Sequence, residues 1–288
     1  MKGRPVLLFI MLIGGFRPWS PGLCGPPGLF PDAEKGGVPR PWALWGEFYD
    51  ETTKSRRNQD NPISFSHVRI GFRKPFTRAL SLETYLLLRY GKDLHRDFWN
   101  NRFEWGPAWR LRFSQKIFLA YYMEFIQGQY LNLPGDGSQT VQRKYSDFRT
   151  GLIFWYGWDK YRDPVSRFSL PADFWGDAYS DISYYRKENK NTIGYAHIKS
   201  GIHALRFWKT TVDAYAVVYA NADTKKYFWN NRIEAGPGSW IRPWEDLDLK
   251  FYVEWLNGTF SSIKDATPNP YSRKYYDRRI GILFWIGW

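Results

Sequence analysis

The chain ends in "GILFWIGW", Gly281 to Trp288, and it holds a near copy, "GLIFWYGW", at Gly151 to Trp158. In the terminal stretch Ile282, Phe284, Ile286 and Trp288 alternate with Gly281, Leu283, Trp285 and Gly287. A period of two marks an extended strand whose faces meet different surroundings. A last strand with an apolar row ending in an aromatic ring suits a sheet whose outer face meets lipid and whose edge must close.

The copy belongs to a longer repeat. Sliding the chain by 130 residues aligns its halves without a gap: Trp45-Gly46 meets Trp175-Gly176, Tyr49 meets Tyr179, His67 meets His197 and Gly71 meets Gly201. "FWNNRFEWGP" (Phe98 to Pro107) meets "FWNNRIEAGP" (Phe228 to Pro237), and Tyr122, Glu124 and Gly128 meet Tyr252, Glu254 and Gly258. This reads as a tandem duplication whose period is too long for solenoid or propeller blades. Within one copy, alternation recurs over 43–54, 63–73, 81–91, 101–113, 117–130 and 146–158. In the fifth stretch Leu119, Tyr121, Met123 and Phe125 share one face, and Ala120, Tyr122, Glu124 and Gly128 the other. Six strands per copy predict twelve, an even number that closes an antiparallel barrel with both termini on one side.

Composition agrees. Aromatic residues make up 20% of the chain, with 16 tryptophans, yet mean hydropathy is −0.53. Rings on one face and charges on the other produce that pairing. The expected fold is all-β: a twelve-stranded antiparallel transmembrane β-barrel made by tandem duplication of six strands. Its halves cover 29–158 and 159–288, after a signal peptide and cleavage region at 1–28. A soluble β-sandwich also alternates, but rings on both faces of several strands and the turn spacing argue against it. The signal rests on Lys2, Arg4 and the apolar run Val6 to Ile13, too short to span about 30 Å of hydrocarbon as a helix. No later run of 18 apolar residues is present, which excludes helical spans. The single cysteine, Cys24, excludes an internal disulfide and a Cys-rich metal site. It reads as part of the discarded signal region, with lipidation as the alternative.

The row Ile282, Phe284, Ile286 and Trp288 resembles the C-terminal targeting signature of Gram-negative outer-membrane β-barrel proteins, with tryptophan where phenylalanine is usual. That resemblance implies recognition by the barrel-assembly machinery and residence in the cell outer membrane, among its lipids and lipopolysaccharide. More narrowly, "FRTGLIFW" (Phe148 to Trp155), the "NNR…GPG…RPW" stretch (Asn230 to Trp244) and the "EFIQG" and "EWLNG" strands are similar to the C-terminal barrels of phage-adsorption protein A-like and exopolysaccharide-secretion proteins. Those proteins also carry periplasmic helical repeats, which this chain lacks, so the resemblance implies a secretion role alongside a separate partner.

With the termini periplasmic, the long polar segments face outward from the cell: "KSRRNQDNP", "GKDLHRDFWNN" and "PGDGSQTVQRK", with the copies "YRKENKN", "NADTKKYFWNN" and "SIKDATPNPYSRK". The formal charge is +13. Faces opposite the lipid rows carry both signs, giving a lumen network of Arg69, Arg89, Arg102, Glu104, Arg112, Glu124, Arg149, Lys199, Arg232, Glu234, Arg242, Glu254 and Arg279. Buried charges must pair, so this set is either a structural filling or the lining of a basic pore. The loops hold most of the surplus and form a basic rim that attracts anionic polysaccharide or lipid phosphate.

Trp99, Asn100 and Asn101, and Trp229, Asn230 and Asn231, recur in both copies. A ring beside carboxamides can bind a glycan; equally, Asn-Asn suits a loop end and Phe-Trp an aromatic girdle. No catalytic motif, metal ligand set or cofactor fingerprint is present. His67 and His197 face the lumen beside Arg69 and Lys199 without a sequence-local nucleophile or orienter. A nucleic-acid partner is not expected. The function expected is an outer-membrane barrel that passes or binds an anionic extracellular polysaccharide or solute, as in exopolysaccharide export. A closed surface receptor or structural anchor is the alternative, as in phage adsorption, with an outer-membrane enzyme a distant third.

Overall fold

A computed structural model describes residues 41–288 apart from 58–59, 78, 96–99, 115–116, 133–141, 160–173, 188–189, 228–229, 245–246 and 262–272. The signal region, Cys24, Trp99 and Trp229 lie outside the described residues. The strands are β1 (Ala43–Ser55), β2 (Asn61–Pro75), β3 (Ser81–Asp93), β4 (Arg102–Arg112), β5 (Phe118–Tyr130) and β6 (Lys144–Asp159). They continue as β7 (Phe174–Tyr185), β8 (Asn191–Phe207), β9 (Thr210–Asp223), β10 (Arg232–Arg242), β11 (Asp248–Phe260) and β12 (Lys274–Gly287). Each pairs antiparallel with its neighbour in sequence, and β12 returns to β1 to close the barrel. The six alternating stretches of the first copy coincide with β1 to β6 to within about two residues at each boundary.

The alternation sorts the side chains by solvent. Outward rows expose Leu44, Ile70, Phe72, Leu86, Phe125, Ile198, Ile280 and Ile282, each 44–58% accessible. Inward rows bury Glu83, Glu104, Glu234 and Glu254 completely. In water that inversion would be ruinous, since each large apolar side chain left wet forfeits about 1.5–3 kcal/mol. A wall apolar outside and charged inside fits hydrocarbon around it. One closed sheet, rather than two packed sheets, also disposes of the sandwich alternative.

The abrupt ending has a physical role. Trp288 exchanges two backbone hydrogen bonds with Gly46, both 3.0 Å, and lays its indole over the same glycine, so closely that a Cβ there would overlap the ring. Trp158 does the same to Gly176 on β7. In each case the aromatic ring covers exposed backbone where a neighbouring glycine leaves no side chain. Registers repeat as well: Glu47 faces Arg69 and Asp177 faces Lys199, while Tyr49 faces His67 and Tyr179 faces His197. Among the described residues the register shifts at a bulge between His203 and Leu205 in β8.

Candidate functional site: the barrel interior

Every inward row converges on the lumen, where carboxylates act as hubs for cations supplied by neighbouring strands. Near the barrel end that carries Trp288, Glu83 (β3) takes Arg73 Nε at 2.6 Å, Arg110 Nε at 2.6 Å and Arg112 NH1 at 3.3 Å. Midway, Glu124 meets Arg89 at 3.1 Å and Arg69 at 3.9 Å, and Arg69 also pairs with Glu47. Toward the loops, Glu104 holds Arg149 at 2.7 Å, Arg89 at 3.0 Å and Arg102 at 3.6 Å, and accepts the Tyr145 hydroxyl at 2.7 Å.

The second half repeats the hubs with different spokes. Glu254 meets Lys199 at 3.3 Å and accepts the hydroxyls of Tyr215 and Tyr219. Glu234 pairs with Arg279 and with Arg232 at 3.3 Å. Arg242 lies 3.3 Å from Asp213, which also meets His203 at 2.6 Å and the Trp240 indole N–H. The lumen residues named from sequence therefore all stand inside, in ion pairs. Glu83, Asp213, Asp277 and Arg110 complete the hubs, and all four lie on inward rows visible in the alternation.

The two halves part company where they would otherwise be alike. Positions 130 apart pair Arg89 with Tyr219 and Arg110 with Trp240. In the second half these rings join Trp175, Tyr215 and Tyr252 in one buried cluster, with Trp175 stacked on Trp240 at 4.4 Å. In the first half, guanidinium groups stand there instead and leave a cavity of about 210 Å³. Arg69, Arg89, Arg102, Arg110 and Arg149 line it, with Tyr85, Tyr122, Tyr179 and Tyr185 among the aromatic neighbours and only Glu124 and Asp181 as acids. All five guanidiniums are held by carboxylate hubs, Arg69 by Glu47, Arg110 by Glu83, and Arg89, Arg102 and Arg149 by Glu104, so they face the open space as members of the ion-pair network. The chamber's ring faces and hydroxyls can stack on, and hydrogen-bond to, a polyol.

The carboxylate partners of the histidines come from neighbouring strands, out of reach of local sequence, while Tyr195 lies on the same strand as His197. His197 Nε2 lies 2.9 Å from Asp177 and its Nδ1 3.2 Å from the Tyr195 hydroxyl; His67 Nε2 lies 3.5 Å from Glu47. Each ring stacks on a tyrosine, Tyr179 or Tyr49. Among the described residues neither imidazole bonds a serine or threonine hydroxyl, and no group of three potential metal ligands occurs.

The recurring asparagines point into the hairpins. Asn100 and Asn101 donate to Asp93 at 2.7 and 3.0 Å, and Asn230 and Asn231 donate to Asp223 at the same distances. Asp93 and Asp223 close β3 and β9, so the carboxamides tie each loop to the strand before it.

Two cations fold back from the loops over the mouth. The backbone N–H of Arg57 donates to Asp277 at 3.0 Å and that of Lys187 to Asp147 at 2.9 Å. The Lys187 ammonium sits 3.0 Å from the Tyr145 ring centroid. Desolvation, reinforced by Arg102, lowers the Lys187 pKa from its ordinary value to about 8; desolvation likewise lowers that of Arg57. Between about pH 8 and the ordinary lysine value the unfolded chain binds more protons at Lys187 than the folded one, so stability rises with pH there. Chemical unfolding of detergent-folded protein at pH 7.5, 9 and 10.5 should show that rise, and Lys187→Met should flatten it.

No family model and no curated protein sequence matches the chain. Among solved structures, the β domain of the Bordetella autotransporter BrkA is similar at 13% identity and TM-score 0.39, covering 84% of this chain and 98% of that one. OmpT, an outer membrane protein of Vibrio cholerae, is similar at 10% identity and TM-score 0.29, covering 85% and 97%. Pseudomonas aeruginosa OprD is similar at 10% identity and TM-score 0.27, covering 88% and 97%.

Proposed function

We propose that this chain is an outer-membrane β-barrel, exported through its N-terminal signal, that binds the acidic units of an extracellular polysaccharide or a small anionic solute in its arginine-lined chamber. The chamber carries the reading: five guanidiniums, each anchored by a carboxylate, and several tyrosines face about 210 Å³ of open space. Its lining includes Arg102 and Tyr185, at the loop ends of β4 and β7, which supports an approach from the loop side of the barrel. Likeness of the C-terminal strands to exopolysaccharide-secretion barrels supports an acidic polymer as ligand.

The fully buried hubs Glu83, Glu104, Glu234 and Glu254 favour a second reading, a closed receptor that binds without passing. Titration calorimetry with oligogalacturonate and a neutral glucan of equal length tests binding, and planar-bilayer recording tests passage. Selective binding of the acidic oligomer is expected, weakened about tenfold by Arg102→Gln, the loss of one hydrogen bond to a charged group. Stepwise anion-preferring current would add passage; silence with binding retained would leave the receptor. Absence of both would overturn the proposal.

A further inference from the structure

The outer wall carries its own charged feature at the seam where β12 meets β1. Along β12 the outward row climbs through Trp288, Ile286, Phe284, Ile282 and Ile280, then changes abruptly to Arg278. Taking ~3.3 Å per residue and a ~40° tilt, Arg278 stands about 25 Å above Trp288 along the barrel normal, the height of a lipid-facing band. Tyr276, 45% exposed, follows in the row, and Lys274 stands beyond it, about 10 Å higher than Arg278. On β1, Lys54 is paired opposite Ile280, and the Arg56 backbone N–H donates to the Arg278 carbonyl at 3.1 Å.

All four side chains are exposed. Among the described residues no carboxylate pairs with Arg56, Lys274 or Arg278; Lys54 has only Asp60, at 3.8 Å, with both side chains about half exposed.

The molecule supplies its own control. At the seam of β6 and β7 the same backbone bond joins Arg186 N–H to the Phe148 carbonyl at 3.2 Å. There phenylalanine replaces Arg278 and Tyr184 stands where β1 has Lys54, leaving Lys144 and Arg186. Closing a seam therefore does not require four cations. Below Lys54 the outward row carries Thr52, bonded to Ser64 at 2.9 Å, and then Asp50, which accepts the Ser66 hydroxyl. Hydroxyls there can bond the polar atoms that link headgroup to acyl chain, where bare hydrocarbon would leave them unserved.

From these placements we infer that the β12–β1 seam is a binding surface for the phosphates of an outer-leaflet glycolipid, gripped by Lys54, Arg56, Lys274 and Arg278. The inference rests on the outer-membrane reading. Charge complementarity selects the ligand, and the height of the cluster selects its source: phosphates held at the top of the hydrocarbon reach it without leaving the bilayer.

Native mass spectrometry of the folded barrel in neutral detergent tests it, with diphosphoryl lipid A as probe and its dephosphorylated form as comparison. The phosphorylated probe is expected to bind preferentially. The pair Lys54→Gln and Arg278→Gln should weaken it about thirtyfold, at roughly fivefold for each interfacial cation. The pair Lys144→Gln and Arg186→Gln should leave it within about twofold. Equal loss at both seams, indifference to phosphate, or full displacement by inorganic phosphate would each overturn the inference. Sheet content and resistance to SDS in the same samples separate that result from a failure of the membrane reading, which would abolish both.

Discussion

Glu83→Gln should destabilise the folded barrel by about 3–5 kcal/mol, the range found when one partner of a buried ion pair is removed. Glu83 is fully buried and answers three guanidiniums. Arg73 and Arg110 also lie over the Trp45 ring, at 5.5 and 5.2 Å. Those ring contacts are weak compensation for a lost carboxylate. With glutamine in place, three cations of one sign would be confined together, and the region would have to hydrate or separate. The corresponding site in the second half has Asp213 with Arg242, His203 and an indole N–H, a less cationic set. Asp213→Asn should therefore cost less than Glu83→Gln. Urea unfolding of detergent-folded protein, followed by far-ultraviolet circular dichroism, provides the measurement; a loss below about 1 kcal/mol at Glu83 would show that the cluster tolerates unpaired charge.

A second large effect is expected at Gly106, and at Gly236, its counterpart 130 residues on. A Cβ at Gly106 would overlap the Phe125 carbonyl oxygen, and one at Gly236 the Trp255 carbonyl oxygen. Both obstacles are backbone of the neighbouring strand, so relief requires β4 to leave β5, or β10 to leave β11. Each glycine precedes a proline, Pro107 or Pro237, which has no N–H for the ladder. The local pairing therefore has little to spare. Gly106→Ala should cost about 3 kcal/mol or more, above the usual range for inserting one methylene because the obstacle cannot rotate away. Gly46→Ala is the internal comparison: the obstacle there is the Trp288 ring, which can turn aside, so a smaller loss is expected. Similar losses at the two sites, measured by the same urea titration, would refute the distinction.

The strands were legible because lipid outside and charge inside leave no ambiguity about which residues alternate. Leu119 to Gly128 shows this: the order of residue types alone assigns both faces. The lumen residues were legible for the same reason, as members of a row. Their partners were not. Arg89 joins Glu104 and Glu124 through strand register, and register is decided by the whole sheet rather than by neighbours in the chain. Histidine environments escaped for that reason too, since Asp177 reaches His197 from the strand beside it. The chamber was readable in principle. Arg89 against Tyr219 and Arg110 against Trp240 appear once the halves are aligned, but their consequence emerges only when the rings are seen to fill the space that guanidiniums leave open. The asparagine pairs suited a loop end as well as a carbohydrate site, and the carboxylates that engage their amides, Asp93 and Asp223, lie seven or eight residues upstream.

Closure by an indole lying on a glycine occurs twice, once at Trp288 and once where the polypeptide runs on into the connector after Trp158. In ring and glycine the two junctions are alike, and only the exposed cations of the outer wall set the β12–β1 seam apart. Severing the connector and tethering the native ends would move the point of entry half a turn around the circumference while reproducing both junctions. Where the circle is cut is thus a matter of gene order, and what the last tryptophan does for the wall can be done equally well from the middle of a chain.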